Sequence, residues 1–211
     1  MAQSVIDYKQ QFFDGWAPTY DWLLPSVFYQ AVHQRLLEYV VLPETAYVLD
    51  LGCGTGRLLR RLASQFPTLT GLGLDLSENM LAQARQKPSF RDRLQFVSGR
   101  SDFIPADPET FDAVFCTISF LHYPEPQAVM ADVARVLKPG AMFYLADYVP
   151  SQFLGLPQRS WLLSPTGLRF YSKMMRQDLA EVAGLTCHSH HCLLGPIMLT
   201  VCQCPFGLAN P

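Results

Sequence analysis

The sequence shows no block of positive charge, no signal-peptide pattern in its first residues and no long apolar run. Lysine and arginine number 16 in 211 residues and the formal net charge is −2, so nothing favours binding to the phosphates of a nucleic acid. The first residues lack the charged and apolar regions of a signal peptide. No uninterrupted apolar run approaches the ~20 residues that cross a bilayer. We therefore expect a cytoplasmic protein with no integral membrane segment and a small or neutral molecule as its partner.

The cysteines and histidines do not form a metal-binding pattern. C-x-x-C is absent, and alternation along a strand in the tail would place Cys187 and His188 on opposite faces. A zinc site is therefore the less favoured interpretation, and we predict no metal. The spacing also does not match a small disulfide scaffold. We expect all six cysteines to be thiols: Cys53, Cys116, Cys187, Cys192, Cys202 and Cys204.

Short apolar runs alternate with helical spacing, which is typical of an α/β domain. With 49% hydrophobic residues in 211, the chain can bury a full core as a single domain, 1–211. We divide it into an N-terminal segment, 1–42, and a core, 43–211. The predicted strands are 48–51, 70–75, 94–97, 111–117, 142–148, 185–191 and 197–202, and the predicted helices are 31–40, 58–66, 77–87, 128–137 and 172–183.

A glycine-rich turn follows the first predicted strand. Asp50 ends an apolar run, and Gly52, Gly54 and Gly56 come at every second position before a helical pattern. Glycine permits a positive φ and a close approach of a ligand to the backbone, and the amides at the helix start would face that ligand. A dinucleotide fingerprint needs G-x-G-x-x-G, whereas this spacing is G-x-G-x-G followed by Arg57. An NAD-type oxidoreductase is therefore disfavoured.

A second acid, Asp75, ends the next predicted strand, about where a ribose diol would be held by its two oxygens. With this acid in place, the motif from Asp50 to Gly56 resembles the first motif of the class I S-adenosylmethionine-dependent methyltransferases. The resemblance extends roughly from Tyr20 to Gly184. It implies an α/β, Rossmann-like, seven-stranded, mostly parallel sheet with helices on both faces, the last strand antiparallel and an N-terminal helical lid. The implied cofactor is S-adenosylmethionine, with S-adenosylhomocysteine as product.

The same resemblance assigns further cofactor contacts. Near the glycine turn and the second acid these are Cys53, Leu76 and Met80. In the loop that holds adenine, Arg100 occupies the usual acidic position, so we assign the polar contact to Ser101 or Asp102 and place Phe103 against the ring. Asp102 as a turn-forming acid is an equal alternative. Cys116 and Thr117 end the strand 111–117, where open parallel sheets bind ligands; we expect a small buried side chain at Cys116 rather than a reactive thiol.

Two segments are expected to form the substrate pocket. Aromatic residues crowd the stretch 8–29, broken by prolines, which favours short helices separated by a turn. These aromatics either pack the segment onto the domain or form a lid, in which Tyr20 caps the methionine end of the cofactor and Phe13 and Trp16 wall the pocket. His122 and Tyr123 follow the fourth strand; His122 is the best candidate for a general base, with packing or helix capping as the alternative. We expect the loop 150–169 near the pocket's mouth.

These features predict an enzyme that transfers a methyl group from S-adenosylmethionine to a small, partly hydrophobic acceptor by in-line displacement. Resemblance to ubiquinone and menaquinone biosynthesis methyltransferases suggests a quinone, phenol or lipid-like precursor. The acceptor atom stays open between carbon, oxygen and nitrogen. A cofactor-binding interaction protein without turnover is an alternative. A nucleic-acid methyltransferase is less favoured, because the stretch from Ser119 to His122 lacks the Asn/Asp-Pro-Pro-aromatic signature.

Overall fold

The computed structural model of the protein describes residues 23–149, 161–163 and 168–206. The helices in these residues are α1 (Leu23–Leu37), α2 (Arg57–Gln65), α3 (Glu78–Gln86), α4 (Pro126–Val136) and α5 (Lys173–Val182), with a 3₁₀ helix at Phe120–His122. The strands are β1 (Tyr47–Leu51), β2 (Thr70–Asp75), β3 (Leu94–Ser98), β4 (Phe111–Thr117), β5 (Leu137–Tyr148), β6 (Trp161–Leu163), β7 (Arg169–Tyr171), β8 (Thr186–Leu194) and β9 (Ile197–Gln203).

Seven strands form one sheet in the order β3-β2-β1-β4-β5-β9-β8. The first five run parallel to one another, and β9 lies antiparallel between β5 and β8. The chain winds outward in one direction through β1, β2 and β3 and in the other through β4 and β5. The switch between β1 and β4 places a crevice at the carboxyl ends of these strands. The predicted Rossmann-like fold with an antiparallel last strand is confirmed.

Helices cover both faces of the sheet. Strand residues alternate between two apolar clusters, so that Val48 belongs to one and Leu49 to the other. The first cluster includes residues of α1 and α2, such as Val32 and Leu59, and the second includes residues of α4, such as Val133. Because the parallel strands are buried on both sides, their sequences are nearly continuous apolar runs.

Several predicted boundaries match and others shift for local reasons. The strands at 70–75 and 111–117 are observed with those bounds. The predicted helix 31–40 is instead α1, which starts at Leu23 and ends at Leu37. Pro25 does not break it, because amides in a first helical turn have no intrahelical partner to lose. The predicted strand 142–148 begins earlier, since β5 starts at Leu137 and its pairing with β4 shifts register between Phe111 and Ala113.

The stretch 150–169 is not a loop throughout, which corrects the prediction. Strand β6, Trp161–Leu163, pairs antiparallel with β7, Arg169–Tyr171, in a separate two-stranded sheet. Residues 150–160 and 164–167 lie outside the described residues, as do residues 1–22 of the predicted lid. Within the part of the chain that is described, no helix has the length and apolar character needed to span a membrane.

The expectation of six free thiols is wrong for one pair. Cys187 on β8 lies directly opposite Cys202 on β9, and a disulfide joins them. They are 15 residues apart in the sequence, and antiparallel pairing of the two strands brings them together. Spacing along the chain cannot reveal this, because the strand register decides which residues face each other.

Candidate active site

The glycine turn is built by backbone geometry that side chains would obstruct. Gly52, Gly54 and Gly56 all have positive φ, at 74°, 51° and 70°. The amides of Gly52 and Cys53 both donate to the carbonyl oxygen of Leu74, at 2.8 and 3.1 Å, which ties the turn to the end of β2. A Cβ on Gly52 would lie 2.6 Å from the Ser119 Cβ. The turn can therefore approach both the next strand and the segment after β4 only as glycine.

Asp75 is fixed between that turn and α3. The amide of Gly54 donates to Asp75 Oδ2 at 2.7 Å, and the amide of Ser77 donates to Oδ1 at 2.9 Å. Ser77 also caps α3, since its Oγ accepts from the amide of Met80 at 3.2 Å. A carboxylate has about four acceptor sites, so two amide bonds orient the group without exhausting it. The geometry is suited to holding vicinal hydroxyls beside the glycine turn.

Asp50 is a buried acid next to Asp75. Its side chain is 2% exposed and its Oδ2 has no hydrogen-bond partner among the described residues. Burial, assisted by the negative charge of Asp75, raises its pKa from 3.8 to about 8. A buried carboxyl with an unpartnered oxygen is costly unless a cation or a donor reaches it.

The main cleft lies at the carboxyl ends of β1, β2 and β4 and encloses about 950 Å³, its open mouth included. This space is the main cleft. Ten of the predicted site residues line it: Gly52, Gly54, Asp75, Leu76, Met80, Ser101, Asp102, Thr117, His122 and Tyr123.

Other predicted site residues lie elsewhere. Asp50 and Cys53 line a smaller second cleft of about 360 Å³. Gly56 lines neither; it precedes α2 in a left-handed conformation, and the Phe96 ring occupies the place of its missing Cβ. Phe103 is 73% exposed and lines neither cleft, and its contact with an adenine ring stays a prediction.

Cys116 is buried beneath the cleft rather than in its wall. Its Sγ lies 3.1 Å from Ser119 Oγ, and burial raises the pKa of its thiol to about 12. Such a thiol is unreactive at neutral pH.

Asp102 lines the main cleft. It accepts a hydrogen bond from Arg100 Nε at 2.9 Å, and this hydrogen bond lowers the pKa of Asp102. The three aromatic residues Tyr20, Phe13 and Trp16 lie outside the described residues.

Sequence reasoning missed a polar chain beneath the segment after β4. Tyr123 donates to Ser119 Oγ at 3.1 Å, and Ser119 donates to the carbonyl oxygen of Leu51 at 3.0 Å. Burial raises the pKa of Tyr123 above its usual range. Ile118 begins this segment with a φ of 52°, which is unusual for a β-branched residue. The sequence does not reveal the bond from Ser119 to β1, because Leu51 is 68 residues away along the chain.

The 3₁₀ turn that carries His122 is fixed by a buried acid on β5. Asp147 Oδ2 accepts from the amide of Leu121 at 2.9 Å and Oδ1 accepts from the amide of Tyr148 at 2.7 Å. Burial raises the pKa of Asp147 to about 6, although the charge of Arg176 opposes the rise. Arg176 is 1% exposed and donates to the carbonyl oxygens of Met198 and Tyr148 at 3.0 and 3.1 Å.

The strand order, the glycine turn and the acids at two neighbouring strand ends define a Rossmann-like, nucleotide-binding class of protein. A family model described as "Methyltransferase domain" matches residues 48–140. The 2-phytyl-1,4-naphtoquinone methyltransferase of Thermosynechococcus vestitus is 28% identical over 221 residues, covering 92% of this chain and 98% of that protein. The demethylmenaquinone methyltransferase of Lactiplantibacillus plantarum is 31% identical over 170 residues, covering 76% and 71%.

Solved structures agree on the fold. The methyltransferase in complex with the Haloferax volcanii Trm112 activator has a TM-score of 0.76 at 22% identity, covering 92% of this chain and 97% of that one. The [4+2]-cyclase SpnF has a TM-score of 0.74 at 20% identity, covering 83% and 81%. At such identities the likeness shows the fold alone. The sequence relatives show the family: the chain belongs to the class I S-adenosylmethionine-dependent methyltransferases.

The cofactor of this enzyme is therefore S-adenosylmethionine, and the residues present fit it. The carboxylate of Asp75 lies at the edge of the main cleft, where it accepts from a backbone amide of the glycine turn. At Gly52 an added Cβ would overlap with neighbouring side chains, so only glycine fits at this position of the turn. The buried Asp50 carboxyl, whose Oδ2 has no hydrogen-bond partner among the described residues, lies just before the same turn.

Proposed function

We propose that the chain methylates a small, partly hydrophobic acceptor, such as a quinone, a phenol or a lipid-like precursor, in the main cleft. The observation that supports this is the mixed lining of the cleft. Apolar side chains lie on both sides of it, Leu74, Leu76 and Met80 at and after the end of β2 and Ile118, Pro124 and Val129 after β4, together with polar groups such as Asp75 and His122. The names of the two methyltransferase relatives, which specify naphtoquinone and menaquinone substrates, favour the same class.

In this proposal the adenosine part of the cofactor lies on the β2 side. Asp75 receives the ribose hydroxyls, and Ser101 or Asp102 contacts adenine, with Leu76 and Met80 as apolar neighbours. Thr117 and His122 then lie near the reacting end, because they follow β4 across the switch in strand order. Phe13, Trp16 and Tyr20 are proposed to close this end as a lid.

S-Adenosylmethionine supplies a methyl group that its sulfonium charge has already activated. The protein has to hold the acceptor atom in line with that group and exclude water. His122 is proposed to accept the proton that an acceptor hydroxyl releases and to pass it to solvent. Asp147 acts only through position: by holding the amide of Leu121 it fixes the turn on which His122 lies.

The test is transfer of radiolabelled methyl from S-adenosylmethionine to a panel containing a reduced naphthoquinone, simple phenols and, as a hydrophilic control, glycine. We expect labelled product from the aromatic acceptors and none from glycine. In single-turnover measurements with the best acceptor, His122→Gln should lower the rate by about 100-fold or more. His188→Gln is the matched control, because His188 lies on β8, is exposed and bonds to Gln203.

Other outcomes separate the parts of the proposal. Binding of S-adenosylhomocysteine without transfer to any acceptor would favour the non-catalytic interaction protein. Transfer to glycine alone would contradict the hydrophobic acceptor class. Unchanged single-turnover rates in His122→Gln would remove the general base but leave the acceptor class standing.

A further inference from the structure

The second cleft is lined by residues that carry buried polar atoms without partners. Asp50 Oδ2, His33 Nδ1 and Thr117 Oγ1 are all buried without a hydrogen-bond partner among the described residues, and all three residues line this cleft. They come from β1, α1 and the end of β4. A buried polar atom that stays unpaired lowers the stability of the folded chain. The three residues surround one space, and a polar ligand bound there would give these atoms hydrogen-bond partners.

The charges around the second cleft are divided between its two sides. On the helical side, His33 is 6% exposed and Arg57 also lines the cleft. Burial, followed by the positive charges of Arg61 and Arg57, lowers the pKa of His33 to about 3. On the strand side lies Asp50, next to Asp75. A negative group of a ligand on the helical side would meet the charge of Arg57 and the uncharged ring of His33, and a positive group toward β1 would favour the ionised form of Asp50.

The two clefts adjoin each other. Gly52 and Thr117 line both, so a single elongated ligand can extend from the main cleft into the second. An adenosine group beside Asp75 would leave its 5′ substituent next to the glycine turn, where the second cleft begins. In S-adenosylmethionine and S-adenosylhomocysteine that substituent ends in a zwitterionic amino acid.

We infer that His33 is a binding residue for the carboxylate of the cofactor's amino-acid group, with Arg57 adding positive charge and with Asp50 and Thr117 receiving the ammonium. The inference rests on the cofactor position proposed above. A neutral imidazole carries one N–H, and the Nδ1–H tautomer of His33 donates to the carboxylate. His33 belongs to α1, outside the glycine motif, so this helix helps the chain select ligands that carry the amino-acid group.

The test compares two ligands by titration calorimetry. S-Adenosylhomocysteine carries the amino-acid group and 5′-methylthioadenosine lacks it. His33→Leu should weaken binding of S-adenosylhomocysteine by about tenfold or more, the range for a hydrogen bond to a charged group, and change binding of methylthioadenosine by less than twofold. His33→Asn, whose amide nitrogen can replace Nδ1, should recover part of the loss and also serves if the leucine variant does not fold.

Val32→Ala is the matched control, because Val32 is fully buried on the same helix and lines neither cleft. It should leave the ratio of the two affinities unchanged. If His33→Leu weakens both ligands equally, or neither, while the wild type binds S-adenosylhomocysteine, the role of His33 is refuted and the cofactor assignment stands. If the wild type binds neither ligand, the cofactor position and this inference fail together.

Discussion

Gly56→Ala tests whether packing, rather than ligand contact, requires glycine at the last position of the motif. Gly56 has a φ of 70°, and an added Cβ would lie 2.5 Å from Phe96 Cε1 and 2.6 Å from its Cζ. An aromatic ring cannot rotate away from such a contact as a flexible side chain can. The substitution therefore imposes a strained backbone and a steric overlap at once.

The magnitude follows from the two costs. A left-handed conformation costs a residue other than glycine about 1–2 kcal/mol, and overpacking costs about 1–3 kcal/mol. We expect the free energy of unfolding to fall by about 2–5 kcal/mol. Gly184 supplies the matched control, because its φ is 82° and nothing lies within 4 Å of an added Cβ. Gly184→Ala should therefore cost about 1–2 kcal/mol, from strain alone.

Urea denaturation followed by circular dichroism measures both variants. With a slope of about 2 kcal/mol/M, Gly56→Ala should lower the midpoint by roughly 1–2.5 M. Phe96→Leu, made in the wild type and in Gly56→Ala, completes a double-mutant cycle. The smaller side chain should relieve the overlap, so the double variant should be more stable than the sum of the single effects predicts.

Two results would refute this reasoning. If Gly56→Ala costs no more than Gly184→Ala, the contact with Phe96 carries no energy. If the cycle shows additivity, the excess cost comes from somewhere other than the ring.

Three further predictions use the same denaturation assay. Because the pKa of Asp50 is raised to about 8, the folded chain binds the Asp50 proton more tightly than the unfolded chain does. Asp50 therefore makes the free energy of unfolding fall as pH rises from about 4 to about 8. The stability of Asp50→Asn relative to the wild type should increase across that pH range and then stay constant. Arg176→Met should lower the free energy of unfolding by about 3–5 kcal/mol, since it leaves the buried Asp147 without its cation. Arg169→Met, at an exposed position, should lower it by under about 0.5 kcal/mol. Equal losses in the two variants would contradict this prediction. Ser77→Ala should cost about 1 kcal/mol through loss of the α3 cap, and an unchanged midpoint would show that the cap contributes nothing.

The fold shared with SpnF shows why the chemistry has to be argued from the site. That protein is a [4+2]-cyclase and yet superposes on this chain with a TM-score of 0.74. A sheet with this strand order supplies a crevice at its switch point whatever reaction follows. In this chain the class is given by relatives at 28 and 31% identity, and the acceptor has to be found by assay.

The sequence by itself determined the features that depend on neighbouring residues. Apolar runs bounded by glycine, proline or acid predicted β2 and β4 with their observed bounds. Helical spacing predicted α3 and α5, each of which is preceded by a capping serine, Ser77 or Ser172. Once successive strands are parallel, Asp50 and Asp75 must come to the same edge of the sheet. Their juxtaposition therefore follows from pattern and handedness alone.

Only the tertiary structure decided the features that depend on residues distant in sequence. The ring of Phe96 at Gly56 and the disulfide between Cys187 and Cys202 both depend on which strands and helices pack together. The same is true of His33, which sequence reasoning passed over and which α1 brings to the second cleft beside Asp50 and Thr117. Local propensity fixes where an element begins and ends, whereas burial and register, which involve the whole chain, fix what each side chain meets.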